Sequence, residues 1–119
     1  MSIESKKTQD TLSTLESITG SKLTLGRLLL AIREADEVSQ IDFAAKLKIT
    51  KQHLCDIEHD RKSESPELAA QYARTLGYSE EQFIRLALQD MIDRKGLKFV
   101  VDINAANDPE GGTGGRKLI

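Results

Sequence analysis

The apolar residues between positions 24 and 96 recur with the spacing of helices rather than strands. Each apolar run follows a side chain that can cap a helix amino end. The five caps are Thr24, Ser39, Thr50, Ser65 and Ser79. A first-turn proline opens the fourth run and Gly77 ends it, while Ser79 and Gln82 form a capping box for the fifth, which ends near Gly96. The pattern predicts five short helices.

The residues on one face of each run are the predicted core. In the first three helices they are Leu25, Leu28, Leu29, Ile32, Phe43, Ala44, Leu47, Leu54 and Ile57. In the fifth helix they are Phe83, Ile84, Ala87, Leu88, Met91 and Ile92. These positions follow the i, i+3, i+4 spacing of a helix face that packs against neighbours, so we interpret them as structural.

The periodicity changes after Gly96. The segment from Leu97 to Ile103 is β-branched and partly alternating, which predicts a strand that contains Phe99, Val100, Val101 and Ile103. A single strand has no hydrogen-bonding partner within a helical chain. We therefore expect it to pair with the same strand of a second copy, across a homodimer axis. A loosely packed tail is the alternative.

The two ends of the chain differ from the middle in composition. Residues 1–22 form a polar arm in which Leu12, Leu15 and Ile18 could line a short amphipathic helix. Residues 104–119 are rich in glycine and are expected to be disordered. The predicted organisation is an arm over 1–22, a helical domain over 23–96, a dimerisation strand over 97–103 and a tail over 104–119.

Composition limits the chemistry of the chain. Its 119 residues suggest one domain, and its 17 basic and 19 acidic side chains give a net charge of −2. Any affinity for nucleic acid must therefore depend on local charge. A single cysteine and the lack of a secretory or membrane-spanning segment predict a soluble, cytoplasmic protein.

No pattern of an enzyme, cofactor site or metal site stands out. Cys55 and His59 are four residues apart on a predicted helix, but two ligands are too few for structural zinc. The sequence has no glycine-rich phosphate loop and no nucleophile elbow. We expect neither enzymatic activity nor a cofactor.

The second and third helices have the spacing of a helix-turn-helix. Between Ser39 and His59, two runs of about eight residues are separated by roughly three, and so short a turn sets the second helix across the first. Leu54 and Ile57 would anchor that second helix. Its other face would be presented to the DNA major groove. The side chains of that face are Lys51, Gln52, Cys55 and Asp56.

Several short motifs here resemble the phage repressor and Cro, or Xre, family. They are Ser39-Gln40, Phe43-Ala44, Ile49-Thr50, Glu58, Pro66-Glu67-Leu68-Ala69 and Leu76-Gly77. The likeness extends from about Leu23 to Phe83. It implies an all-α, five-helix repressor-like domain that binds double-stranded DNA as a homodimer and regulates transcription.

The resemblance also implies roles for individual residues. Lys51 and Gln52 would be the main base readers, with Cys55 beside them, and Asp56 would accept from cytosine or repel phosphate. Arg33 and Glu58 would form a structural ion pair. The expected phosphate contacts are Gln40, Lys48, Thr50, His53, Arg61 and Lys62.

Two positions depart from the family pattern. Lys48 stands where many relatives have a glycine in the turn, so we expect a strained left-handed residue there. Asp60 follows the third helix, where it would strain the loop and bring a negative charge near DNA. Neither departure breaks the framework, and Lys48 could add a phosphate contact.

The sequence leaves the biological role open among three hypotheses. The first is a homodimeric repressor of its own or another gene. The second is an antitoxin that represses its operon and binds a toxin through its arm or strand. The third is a protein-interaction module that bridges partners through an acidic fifth helix and the exposed strand.

Overall fold

The computed structural model describes residues 22–106, and all regular secondary structure within them is helical. The helices are α1 Leu25–Ala35, α2 Gln40–Leu47, α3 Lys51–Glu58, α4 Pro66–Leu76 and α5 Glu80–Arg94. The amphipathic helix predicted around residues 12–18 and the end of the tail lie outside the described residues. None of the helices in residues 22–106 is long and apolar enough to cross a membrane.

The five predicted helix starts are confirmed. At each, the side-chain oxygen of the cap accepts a hydrogen bond from the backbone amide three residues later, as at Ser39 and Asp42, 3.1 Å apart. The equivalent bonds form at Thr24, Thr50, Ser65 and Ser79. Gly77 adopts a left-handed conformation with φ 80°, which ends α4 as predicted.

The core lies where all five helices meet. Phe43, Tyr72 and Phe83 are its largest fully buried side chains, and the predicted core residues of α1 to α3 are all buried. α1 approaches α3 very closely at Gly26, because a Cβ there would lie 1.8 Å from the carbonyl oxygen of Ile57. This glycine therefore allows α1 to support the end of α3.

The predicted stripe of α5 needs a correction. Phe83 and Ala87 are buried as expected, but Leu86 is also buried and Met91 is 39% exposed. The buried face is rotated because α5 packs mainly on α4 and also contacts α1. Periodicity identified the helix, but the two neighbours together decide which face is covered.

The segment after α5 is held by a side chain. No strand is assigned to it in the described chain, since a strand requires a ladder partner that residues 22–106 do not provide. The amide of the buried Gln89 donates to the carbonyl of Phe99 at 2.8 Å and accepts from the amide of Val101 at 2.7 Å. The predicted pairing with a second copy stays a prediction.

Both positions that depart from the family pattern have left-handed backbone. Lys48 has φ 64° and ends α2, and Asp60 has φ 59°. The carboxylate of Asp60 accepts a hydrogen bond of 2.6 Å from the Thr24 hydroxyl and forms an ion pair of 3.4 Å with Arg27. Side-chain bonds therefore offset the strain at Asp60, whereas Lys48 forms no ion pair within residues 22–106.

This contrast predicts that two glycine substitutions change the free energy of unfolding differently. Lys48→Gly should raise the free energy of unfolding by up to about 1 kcal/mol, because it relieves left-handed strain and removes no ion pair described above. Asp60→Gly relieves similar strain but loses the bonds to Thr24 and Arg27, so it should give no gain. Urea unfolding measures both, and a Lys48→Gly variant less stable than the parent would contradict the interpretation.

Candidate nucleic-acid interface

A buried ion pair fixes α3 against the rest of the domain. The Arg33 guanidinium donates to Glu58 through Nε to Oε2 at 2.7 Å and through Nη2 to Oε1 at 3.2 Å. The Glu58 side chain is fully buried and that of Arg33 is 15% exposed. Hydrogen bonding to Glu58 raises the pKa of Arg33, which keeps the guanidinium charged.

The same pair joins the helices of the motif. Arg33 also donates to the carbonyl of Val38 at 3.0 Å, in the turn before α2. Gln40, the first residue of α2, donates from Nε2 to Glu58 at 2.9 Å. One carboxylate at the end of α3 is therefore bonded to α1 and α2, which sets the crossing of the helix-turn-helix.

The predicted reading face of α3 is only partly exposed. Lys51 and Gln52, in its first turn, are exposed, while Cys55 is half-buried and Asp56 is buried. Leu54 and Ile57 are buried on the opposite side, as the sequence predicted. The amino end of α3 thus presents the two long polar side chains to solvent.

Asp56 is bound by neighbouring side chains. Its carboxylate accepts from Gln52 Nε2 at 3.0 Å and from Arg61 Nε at 2.9 Å, and Lys62 lies 3.7 Å away. The Arg61 bond is the main cause that lowers the pKa of Asp56, with help from Gln52. This carboxylate therefore positions Gln52 and Arg61, an arrangement that the sequence did not reveal.

His53 turns toward the body of the domain. Its Nε2 lies 2.8 Å from the Glu64 carboxylate, which also accepts a short hydrogen bond from the Tyr72 hydroxyl. Glu64 and Tyr72 are buried, and burial followed by the Glu64 bond raises the pKa of Tyr72 well above its usual range. The imidazole therefore ties α3 to α4, in addition to any contact it makes with a phosphate.

The other expected phosphate contacts lie at the two ends of α2 and of α3. Thr50 caps α3 through its hydroxyl oxygen, and Gln40 occupies the first turn of α2 with its Nε2 bonded to Glu58. Lys48 is exposed in the turn between the helices, and Arg61 and Lys62 are exposed after α3. Lys48 and Thr50 therefore lie next to the exposed first turn of α3, whereas Arg61 and Lys62 follow its carboxyl end. Gln40 has one side-chain donor already engaged.

Cys55 and His59 approach each other without forming a metal site. The Cys55 sulfur lies 3.7 Å from His59 Nδ1 and accepts from Arg61 Nη2 at 3.3 Å. Residues 22–106 contain no group of three or more side chains that could hold a metal ion. The arrangement instead supports Arg61 from a second side.

Sequence reasoning missed Glu64, Tyr72, Gln89 and the positioning role of Asp56. Sequence reasoning also missed the close approach at Gly26. Gly26 did leave a local signal, because an isolated glycine inside a helical pattern costs stability and often marks a close approach. The bonds that join Glu64 to His53 and Tyr72, and Gln89 to Phe99, connect positions 8 to 11 residues apart, which periodicity does not report. Asp56 and Gln52 are four residues apart on one helix face, but that spacing alone did not indicate a bond between them.

A comparison with protein families agrees with the helical fold. A family model described as Helix-turn-helix matches residues 29–83, which span α2, α3 and α4 together with most of α1 and the start of α5. Residues 29–83 are therefore an Xre-like helix-turn-helix domain, the DNA-binding part of transcription regulators. No curated protein and no solved structure matches the chain.

The buried ion pair predicts a large loss of stability when it is broken. Arg33→Ala leaves the fully buried Glu58 carboxylate without its main partner, which should lower the free energy of unfolding by about 3–5 kcal/mol. Arg74→Ala is the matched control, because Arg74 and Glu80 form an exposed pair worth at most about 1 kcal/mol. Equal losses for the two variants in urea unfolding would contradict the bracing role of Arg33.

Proposed function

We propose that this protein is a sequence-specific repressor that inserts the amino end of α3 into the DNA major groove. The proposal depends on one observation. Lys51 and Gln52 stand exposed on the first turn of a helix that the buried Glu58 fixes to α1 and α2. A rigid helix with exposed polar side chains at its amino end suits base reading, because fixed side chains discriminate between bases better than mobile ones.

The two exposed side chains supply complementary donors and acceptors. Lys51 can donate to O6 and N7 of guanine. Gln52 has two hydrogens on Nε2 and donates one of them to Asp56. Its Oε1 can still accept from N6 of adenine, and its second N–H can donate to N7. Asp56 orients this amide, so we assign it a positioning role rather than a contact with cytosine.

Local charge favours approach of the duplex despite the net charge of −2. Arg61 and Lys62 offset Asp56, and Arg33 offsets Glu58. Within residues 22–106, Lys48 and Lys51 form no ion pair that would compete with phosphate. Because so few cations near α3 are unpaired, each chain would make few contacts with DNA phosphates. Two chains on a pseudo-palindrome would supply the specificity.

We propose that the whole chain acts as a homodimeric repressor. Two copies would place two α3 helices in successive major grooves, about 34 Å apart. The antitoxin hypothesis stays a prediction, and a neighbouring gene for a small basic protein would support it. Among residues 22–106, no contact identifies a surface that suits a toxin better than a second copy of the chain.

Removal of both base readers should strongly weaken specific binding. Lys51→Ala combined with Gln52→Ala should weaken binding to the DNA upstream of the protein's own coding sequence by about 30-fold to 10,000-fold, because each good base contact contributes roughly 1–3 kcal/mol. A gel shift at fixed salt measures this change, since phosphate contacts make affinity depend on salt.

The matched control is Gln71→Ala combined with Lys95→Ala. These residues have the same chemical types and are exposed on α4 and after α5, outside the helix-turn-helix. The control should bind like the parent. If the α3 double variant also binds like the parent while it remains folded by circular dichroism, the assignment of α3 as the reading helix is wrong.

A further inference from the structure

We propose that residues 97–103 pair antiparallel with the same residues of a second copy, in a register centred on Val100. The inference rests on the homodimer in the proposed function and names the surface that forms it. It follows from three observations, namely a side chain that fixes one edge of the segment, an opposite edge with open hydrogen-bonding groups, and a sequence that is complementary to itself.

Gln89 fixes the inner edge of the segment. Its side-chain amide bonds to the carbonyl of Phe99 and the amide of Val101, two residues apart, as a residue of a neighbouring strand would. Gln89 is 4% exposed, and a third bond from its Nε2 to Asp93 at 2.9 Å holds the amide in place. The segment is thus extended over Phe99 to Val101 with one edge already occupied.

The outer edge remains available. In an extended chain successive residues direct their backbone groups to opposite sides, so Lys98, Val100 and Asp102 direct theirs away from Gln89. No hydrogen bond from the backbone of these three residues is formed within residues 22–106. An exposed row of unpaired backbone donors and acceptors is a template for another strand.

The sequence of the segment fits a second copy in one particular register. With Val100 opposite Val100, each Lys98 faces Asp102 of the second copy, and each Phe99 faces Val101 of the second copy. The pairs at 98, 100 and 102 would each exchange two hydrogen bonds. The two cross-strand ion pairs form on the same side of the ribbon as the Val100 pair, and a register shifted by one residue loses both.

Apolar exposure is concentrated in this segment. Phe99 is 70% exposed, Val100 is 86% exposed and Leu97 is 46% exposed. Val101 and Ile103 are half-buried, in alternation with the exposed Val100 and Asp102. Antiparallel pairing would set the Phe99 ring against the half-buried Val101 of the second copy, so the same register that pairs the charges also covers the aromatic side chain.

Charge-swap variants test the register directly. Lys98→Asp leaves two carboxylates facing each other at both ends of the ribbon, and Asp102→Lys leaves two ammonium groups, so each variant alone should dimerise at least about 10-fold more weakly than the parent. Mixed together, the two variants restore both ion pairs and should form a heterodimer. The double variant, which reverses both charges, should dimerise like the parent.

Sedimentation velocity at low salt measures all four proteins, with Lys95→Asp as the control for a charge change just outside the segment. The proposal is overturned if the parent is monomeric at micromolar concentrations, or if the single variants dimerise like the parent, which would move the interface to α5 or elsewhere. A mixture of single variants that fails to associate while the parent is a dimer overturns the register.

The same variants separate this inference from DNA binding. Lys98 and Asp102 lie outside α3, so each single variant should still shift the upstream duplex at high protein concentration. Loss of the dimer with a retained shift supports both proposals. Intact charge-swap behaviour with no shift by any variant, the parent included, contradicts DNA binding and leaves the interface standing.

Discussion

The Glu58 carboxylate is the group on which the geometry of the domain depends. It is fully buried at the end of α3 and receives hydrogen bonds from Arg33 on α1 and Gln40 on α2. A buried charge is stable only when its partners are in place, so three helices can meet here in one arrangement only. Gly26 adds a steric condition, because α1 could not lie against Ile57 with any side chain at that position.

Stability and function are therefore connected through α3. The end of α3 is buried and bonded, whereas its first turn is exposed and presents Lys51 and Gln52. His53 adds a second attachment to α4 through Glu64, and Asp56 holds Gln52 from behind. The buried Asp56 thus supports the exposed Gln52. One short helix contributes buried side chains to the core and exposed side chains to the surface proposed to meet DNA.

The sequence predicted local features well and long-range features poorly. Caps such as Ser39 and stops such as Gly77 act within a few residues, so their patterns identified all five helices. The left-handed Lys48 was expected from the family resemblance. The Arg33–Glu58 pair came from family resemblance, since no local pattern links positions 25 residues apart. The face of α5 and the bonds of the Gln89 amide depend on how separate segments pack, which a periodic pattern does not contain. The partners of Asp56 are close in sequence, but the pattern did not indicate that the carboxylate bonds to them.

We propose that DNA binding depends on the amino end of α3. Titration of the isotope-labelled protein with the duplex upstream of its own coding sequence, followed by amide NMR shifts, locates the contacted surface residue by residue. If α3 is the reading helix, the largest shifts fall at residues 50–53 and at the start of α2, with small shifts along α5. Shifts confined to α5 and residues 97–106, with none at Lys51 or Gln52, would contradict it.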